Sequence, residues 1–181
     1  MPEAAVTRLI ATRYDAVHGA ARVADYPEYL SVPGEAGPCA TLGFRRASQS
    51  ALFLERYLDA PIEQVLTTRF GRAIDRQDIV ELGDHASVRA AATIALWHRA
   101  AHELADQAEF AVAVLTAPLR AMFKRLDLTI VELAPARAER LGCAADQWGR
   151  YYALDPVLCA GAIATGRERL ALSDAKRGKH R

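Results

Sequence analysis

An unbroken apolar run, Phe110–Leu115 (FAVAVL), leaves this chain few ways to fold. It has strand length, and as a strand it presents apolar side chains on both faces. Such a strand belongs inside a sheet that is covered on both sides. The flanking residues supply covers. Before the run, Val88, Ala91, Ala95, Leu96, Ala101, Leu104 and Ala105 form a helical stripe in an alanine-rich segment, residues 88–107, with Ser87 as the expected N-cap. After it, Thr116-Ala117-Pro118 opens another helix that runs to about Leu126.

The remaining segments fit the same plan. Residues 3–24 are compatible with a helix, although Val6 to Ile10 also suits an opening strand. A Pro/Gly-rich loop, PGEAGP, separates two apolar runs, and CATLGF (from Cys39) reads as a strand with Arg45 and Arg46 at its exit. Asp59-Ala60-Pro61 predicts a helix start with Asp59 as cap, and Gly71 predicts its end. IVELGDHA, from Ile79, suits a strand interrupted near Gly83 and Asp84. A strand over residues 129–133, a short helix to Leu141, and two last strands over 148–154 and 157–163 complete the pattern. Antiparallel-looking strands followed by β-α-β-α-β predict a mixed sheet with helices on both faces. The expected fold is an α/β (α+β) three-layer α/β/α sandwich.

The chain has 181 residues, of which 51% are apolar and 25% charged, which suits one soluble globular unit and excludes a disordered or collagen-like chain. Residues 1–165 are read as a single domain and 166–181 as a flexible basic tail, where Arg167, Arg169, Lys176, Arg177, Lys179 and Arg181 outnumber Glu168 and Asp174. A net charge of +1 gives no general pull on nucleic acid or membrane. No segment reaches the ~18 apolar residues of a membrane span, and Glu3 stands where a signal peptide carries base. Cys39, Cys143 and Cys159 are odd in number and irregular in spacing, so free thiols and a cytoplasmic location are expected. His98 and His102 share a helix face, but no third ligand is evident and no metal is expected.

Three blocks in series, LGFRRAS, LFLERYLDAPIEQ and IVELGDHAS, resemble the acyl-homoserine-lactone synthases of the GNAT-like acyltransferase superfamily. The whole stretch from about residue 8 to 165 is more similar to the thermostable hemolysins, through HGAARV, PEYL, FLERYL and the WGRYY…CAG ending. The resemblance implies a GNAT-like acyl-CoA N-acyltransferase fold. It also implies transfer of an acyl group from a CoA or carrier-protein phosphopantetheine thioester to a small amine or amino acid. No permanently bound cofactor is implied. The alternatives are a lytic protein, as the second family's name suggests, or a non-catalytic scaffold that binds a carrier protein.

Acyl transfer of this kind needs a base for the amine, donors for the carbonyl and a grip on the carrier. Glu81, beside the expected bulge, is the candidate base, with His85 and Asp84 as further catalytic candidates; the alternative for Glu81 is an ion pair with Arg45 or Arg89. Asp84 stands where the synthases carry arginine, which argues against an adenosyl-methionine substrate and lactone formation. The resemblance points to Arg45, Glu55, Tyr57, Arg13 and Trp148 as acceptor contacts, with Tyr57 and Trp148 equally readable as core. Ser87, Val88 and Arg89 open the long helix where the superfamily binds phosphate, although no Gly-x-Gly precedes them. Glu81 and Arg45 are expected to share one cleft.

Overall fold

The computed structural model describes residues 4–22 and 25–178, with side chains as far as residue 172. The ends of both expected segments, residues 1–3 and 179–181, lie outside the described residues. Six strands form one mixed sheet: β1 (Glu28–Gly34), β2 (Gly37–Arg46), β3 (Ile79–Ser87), β4 (Phe110–Leu115), β5 (Val131–Pro135) and β6 (Val157–Ala162). Their order is β1-β2-β3-β4-β6-β5, and β3–β4 pair in parallel while the other neighbours are antiparallel. Among the described residues, five helices cover the sheet: α1 (Ala4–His18), α2 (Ile62–Phe70), α3 (Ala90–Glu103), α4 (Ala117–Arg125) and α5 (Ile163–Gly178).

Strand β4 is interior, as its composition requires. Phe110 and Val112 pack with Ile62 and Leu66 of α2, whereas Ala113 and Leu115 pack with Leu96 of α3, Phe123 of α4 and Leu170 of α5. Alternate side chains of one strand thus feed two separate cores, which makes the α/β/α sandwich. Helix α3 is the crossover that lets β3 and β4 run parallel.

Several local expectations are corrected. Strand β1 is additional: the PGEAGP segment forms a hairpin turn, in which Gly37 takes a φ of +125°, and the chain on both sides of it is strand. Helix α1 stops at His18, where Gly19 is left-handed (φ +63°); residues 19–22 are not helical, and residues 23 and 24 lie outside the described residues. Residues 148–154 are not a strand but parts of two 3-10 segments, Ala138–Trp148 and Tyr151–Leu154. Gly149 (φ +53°) and Asp155 (φ +47°) break any extended run there. The Arg150 N–H donates to the His18 carbonyl at 2.7 Å, which ties this corner to α1. The boundary expected at residue 165 falls inside α5, and Leu170 beyond it is 2% exposed in the core. Ser87 ends β3, and Arg89 occupies the N-cap position of α3 in its place.

The cap of α2 shows the same kind of substitution. Asp59 is exposed and pairs with Arg140, while the Ile62 N–H donates to Glu55 Oε1 at 3.1 Å. Glu55 also accepts from Leu52 N–H and from Arg76 Nη1 and Nη2 at 2.6 and 2.8 Å. Hydrogen bonds from Arg76, chiefly, and from those two backbone groups hold its carboxyl down to about 2. A carboxyl depressed in the folded state stabilises the fold above its ordinary value near 4.5, and that contribution disappears as pH falls toward 2. Glu55→Gln is therefore expected to flatten the pH dependence of stability between pH 4.5 and about 2, checked by urea unfolding in that range. An unchanged slope would remove Glu55 from the acid transition.

Candidate active site

The pairing of β3 with β4 runs from Ile79–Phe110 to Leu82–Ala113 and stops, although both strands continue. The cause lies on the other edge of β3. Between the pairs Gly43–Gly83 and Thr41–Ala86 the register with β2 shifts, and Asp84 takes a left-handed φ of +47°. This bulge bends β3 away from β4. The opening is a cleft of about 370 Å³, reaching from α1 and the 3-10 segment Phe53–Tyr57 to the start of α3. The bulge also reassigns side chains: Asp84 meets the α1 side with Arg22 and Tyr29, while His85 stacks on Trp97 of α3. Asp84 and His85 are therefore not a dyad.

Two glycines make room beside the bulge. A Cβ on Gly43 would lie 2.6 Å from Tyr26 Cβ, and one on Gly83 would lie 2.1 Å from the Tyr26 hydroxyl. The Tyr26 ring lies flat across both positions and forms part of the cleft wall. Gly83→Ala is expected to displace this ring and lower stability by about 1–3 kcal/mol, the scale of overpacking a tight site. Thermal melts measure it; a wild-type melting temperature would show that the ring moves without cost.

Asp84 organises the α1 side. Its side chain is 1% exposed, and it accepts from Arg22 Nε (2.8 Å), Arg22 Nη2 (2.8 Å), Asp25 N–H (2.9 Å) and Tyr29 O–H (2.8 Å). Burial works against the Arg22 charge, but the neighbouring Asp84 carboxylate more than offsets it and keeps the guanidinium above its ordinary value. Burial, then the same carboxylate, raises the Tyr29 phenol. Arg22 also covers the Trp148 ring at 4.9 Å.

Glu81 borders the cleft and is 1% exposed. Its Oε1 accepts the Leu54 N–H at 2.8 Å and its Oε2 the Phe53 N–H at 3.0 Å. Among the described residues it forms no ion pair with Arg45 or Arg89. Burial pushes this carboxyl above the ordinary glutamate value; the two N–H groups and the charge of Arg45 oppose the shift without cancelling it. A buried carboxylate anchored at fixed positions, with lone pairs still free, is suited to accept a proton.

Arg45 departs from expectation. It lies opposite Glu81 in the β2–β3 register, but its guanidinium donates to the carbonyls of Asp25 (2.6 Å) and Ala51 (3.3 Å) and covers Tyr26 at 4.9 Å. It does not line the cleft, so Glu81 and Arg45 do not project into one space. Glu55, spent on Arg76 and two backbone groups, does not line it either. Tyr57 does, with its hydroxyl 2.6 Å from that of Tyr152, and so do Arg13 and Trp148. Ser87, Val88 and Arg89 form the rim at the start of α3. Among the described residues, no group of three or more His, Cys, Asp or Glu side chains is placed to hold a metal ion.

Arg22, Tyr26 and Trp97 escaped the sequence reading. Arg22 and Tyr26 lie in a segment without periodicity, and Trp97 reads as an ordinary member of a helical stripe. His18 packs between Tyr14 and Tyr151, and burial, then Arg150, lowers its imidazole.

Residues 2–167 match the family model described as thermostable hemolysin. No curated protein matches the sequence significantly. Among solved structures, BjaI, a CoA-dependent acyl-homoserine lactone synthase, aligns over 97% of this chain and 83% of its own with a TM-score of 0.64 at 14% identity. The acyl-homoserine lactone synthase LasI aligns over 92% and 85%, with a TM-score of 0.61 at 14% identity. FeeM, an N-acyl amino acid synthase from uncultured soil microbes, aligns over 91% and 92%, with a TM-score of 0.57 at 13% identity. At these identities the likeness establishes a shared fold, the GNAT-like acyltransferase architecture.

Proposed function

The chain belongs to the thermostable hemolysin family, and we propose that it is an N-acyltransferase acting between an acyl thioester and a small amine or amino acid. The observation that carries this reading is the parting of β3 and β4 beyond Leu82 and Ala113, which leaves a passage through the sheet with a buried carboxylate beside it. The thioester arm enters between the strands. Ser87, Val88 and Arg89, at the N-terminal end of α3, hold the phosphate end of the carrier. The acceptor lies on the α1 side, where Arg13 takes its carboxylate. Of the two arginines that the resemblance puts against the acceptor, Arg13 borders the cleft and Arg45 does not.

In the reaction the amine lone pair attacks the thioester carbonyl carbon and Glu81 accepts the ammonium proton. The C–S bond then breaks, and the thiolate leaves and is protonated. Asp84 is a positioning residue that fixes Arg22, Tyr29 and the bulge. Neighbours that act on CoA-linked donors or form N-acyl amino acids support this class of chemistry. CoA and a carrier protein are both compatible donors.

A lytic reading rests on the family's description. No helix among the described residues is long and apolar enough to cross a membrane. An acylated amino product carries a polar head and an apolar tail, so lysis follows from the product and not from the protein. The test mixes purified protein with acyl-CoA or loaded carrier protein and a panel of amines and amino acids, with amide formation read by mass spectrometry. Dye-loaded vesicles are run in parallel. Amide product with intact vesicles supports the proposal. Carrier binding without product identifies a scaffold, and dye release by protein alone identifies a direct lysin.

A further inference from the structure

Two buried nitrogens without partners lie on neighbouring rings that border the cleft. Trp97 is 7% exposed, and neither its Nε1 nor the shielded Nε2 of His85 has a hydrogen-bond partner. The two rings stack at 5.8 Å with 20° between their planes, and both border the cleft. Burial lowers His85 to about 4, so near neutral pH its ring offers one N–H and one lone pair. Most buried polar side-chain atoms have partners, and leaving one without costs about 1–3 kcal/mol. Two such atoms on stacked neighbours mark a place where a ligand supplies the missing partner.

The surroundings say what that ligand is. Trp97, Leu82, Ala113 and Leu115 border the cleft on one side and a second, apolar cavity of about 90 Å³ on the other. That cavity lies between α3, α5 and strands β4 and β6, and small residues such as Ala100, Ala101, Gly161 and Gly166 line it. A group that reaches from the cleft past these shared residues toward the second cavity is apolar there, yet it passes the two unpartnered nitrogens. A plain hydrocarbon would bury them unsatisfied.

We propose that His85 and Trp97 recognise an oxygen substituent near the head of the donor's acyl chain, so that the substrate class is a hydroxyacyl thioester and not a plain saturated one. This rests on the acyltransferase reading and adds the chain chemistry to it. The Trp97 N–H donates to the hydroxyl oxygen, and His85 Nε2 accepts or donates the second bond according to tautomer. The rest of the chain continues into the apolar cavity.

Isothermal titration with two non-transferable pantetheine thioethers of equal chain length tests it, one carrying a β-hydroxyacyl chain and the other a saturated chain. Wild-type protein is expected to bind the hydroxylated analogue roughly tenfold more tightly, the scale of one well-made buried hydrogen bond. Trp97→Phe and His85→Phe, each confirmed as folded by its melting curve, should lose that preference while keeping their affinity for the saturated chain. Equal wild-type affinities, as when water serves both nitrogens, overturn the inference and leave the acyltransferase reading standing. A preference that survives in both variants also overturns it. If neither analogue binds, the acyl-donor reading fails, and this inference with it.

Discussion

Glu81→Gln is expected to cut amide formation by about 100-fold or more while leaving the fold in place, the range associated with losing a general base. Gln keeps one oxygen able to accept from Leu54 or Phe53, so the 3-10 segment Phe53–Tyr57 stays near its position. It cannot take the ammonium proton. The competing account is purely structural, because Glu81 visibly holds two backbone N–H groups. On that account the variant melts earlier and retains full transfer per folded molecule. Single-turnover rates normalised to the folded fraction, taken beside thermal melts, separate the two. Activity per folded molecule within a few-fold of wild type would leave Glu81 as an anchor only.

Asp84→Ala is expected to be among the most damaging single substitutions for stability. It leaves the Arg22 guanidinium, 15% exposed, without its counter-ion and strips partners from Tyr29 and the Asp25 N–H. Breaking a buried ion pair from one side costs about 3–5 kcal/mol. The left-handed backbone at residue 84 adds to the loss, because aspartate tolerates that conformation better than alanine. Asp84→Asn should lose less, since it keeps the shape, one acceptor and the tolerance for positive φ. Urea unfolding measures both. A loss below about 0.5 kcal/mol for the alanine variant, the range of an ordinary surface change, would show that the network does not hold the bulge.

These two carboxylates also show where sequence reasoning succeeds. The alternation of Phe110–Leu115 between two helix-covered cores is written in residue type, and so is the proline-led start of α4. The glycine beside an acid in IVELGDHA was enough to place the bulge. Pairing partners were not legible. Arg45 and Glu81 are expected to share a cleft and do stand opposite each other in the strand register, but the guanidinium is held by the carbonyls of Asp25 and Ala51, from two loops that carry no period. Glu55 looked like a site residue because it sits in the FLERYL block; its work is capping α2 with Arg76. The aromatic run at residues 148–152 is rich in side chains that favour strands and so passes for one. Its glycine torsions and its contacts with α1 exist only in the folded chain.

The central claim is that a thioester arm passes between β3 and β4 with its reacting carbon beside Glu81. A crystal structure with a bound acyl-phosphopantetheine thioether tests it most directly. The account predicts the sulfur between the diverging strands past Leu82 and Ala113, the adjoining acyl carbon facing Glu81, and the phosphate end at Ser87–Arg89. An analogue bound outside the cleft, or lying along the surface with β3 and β4 closed against each other, would contradict it.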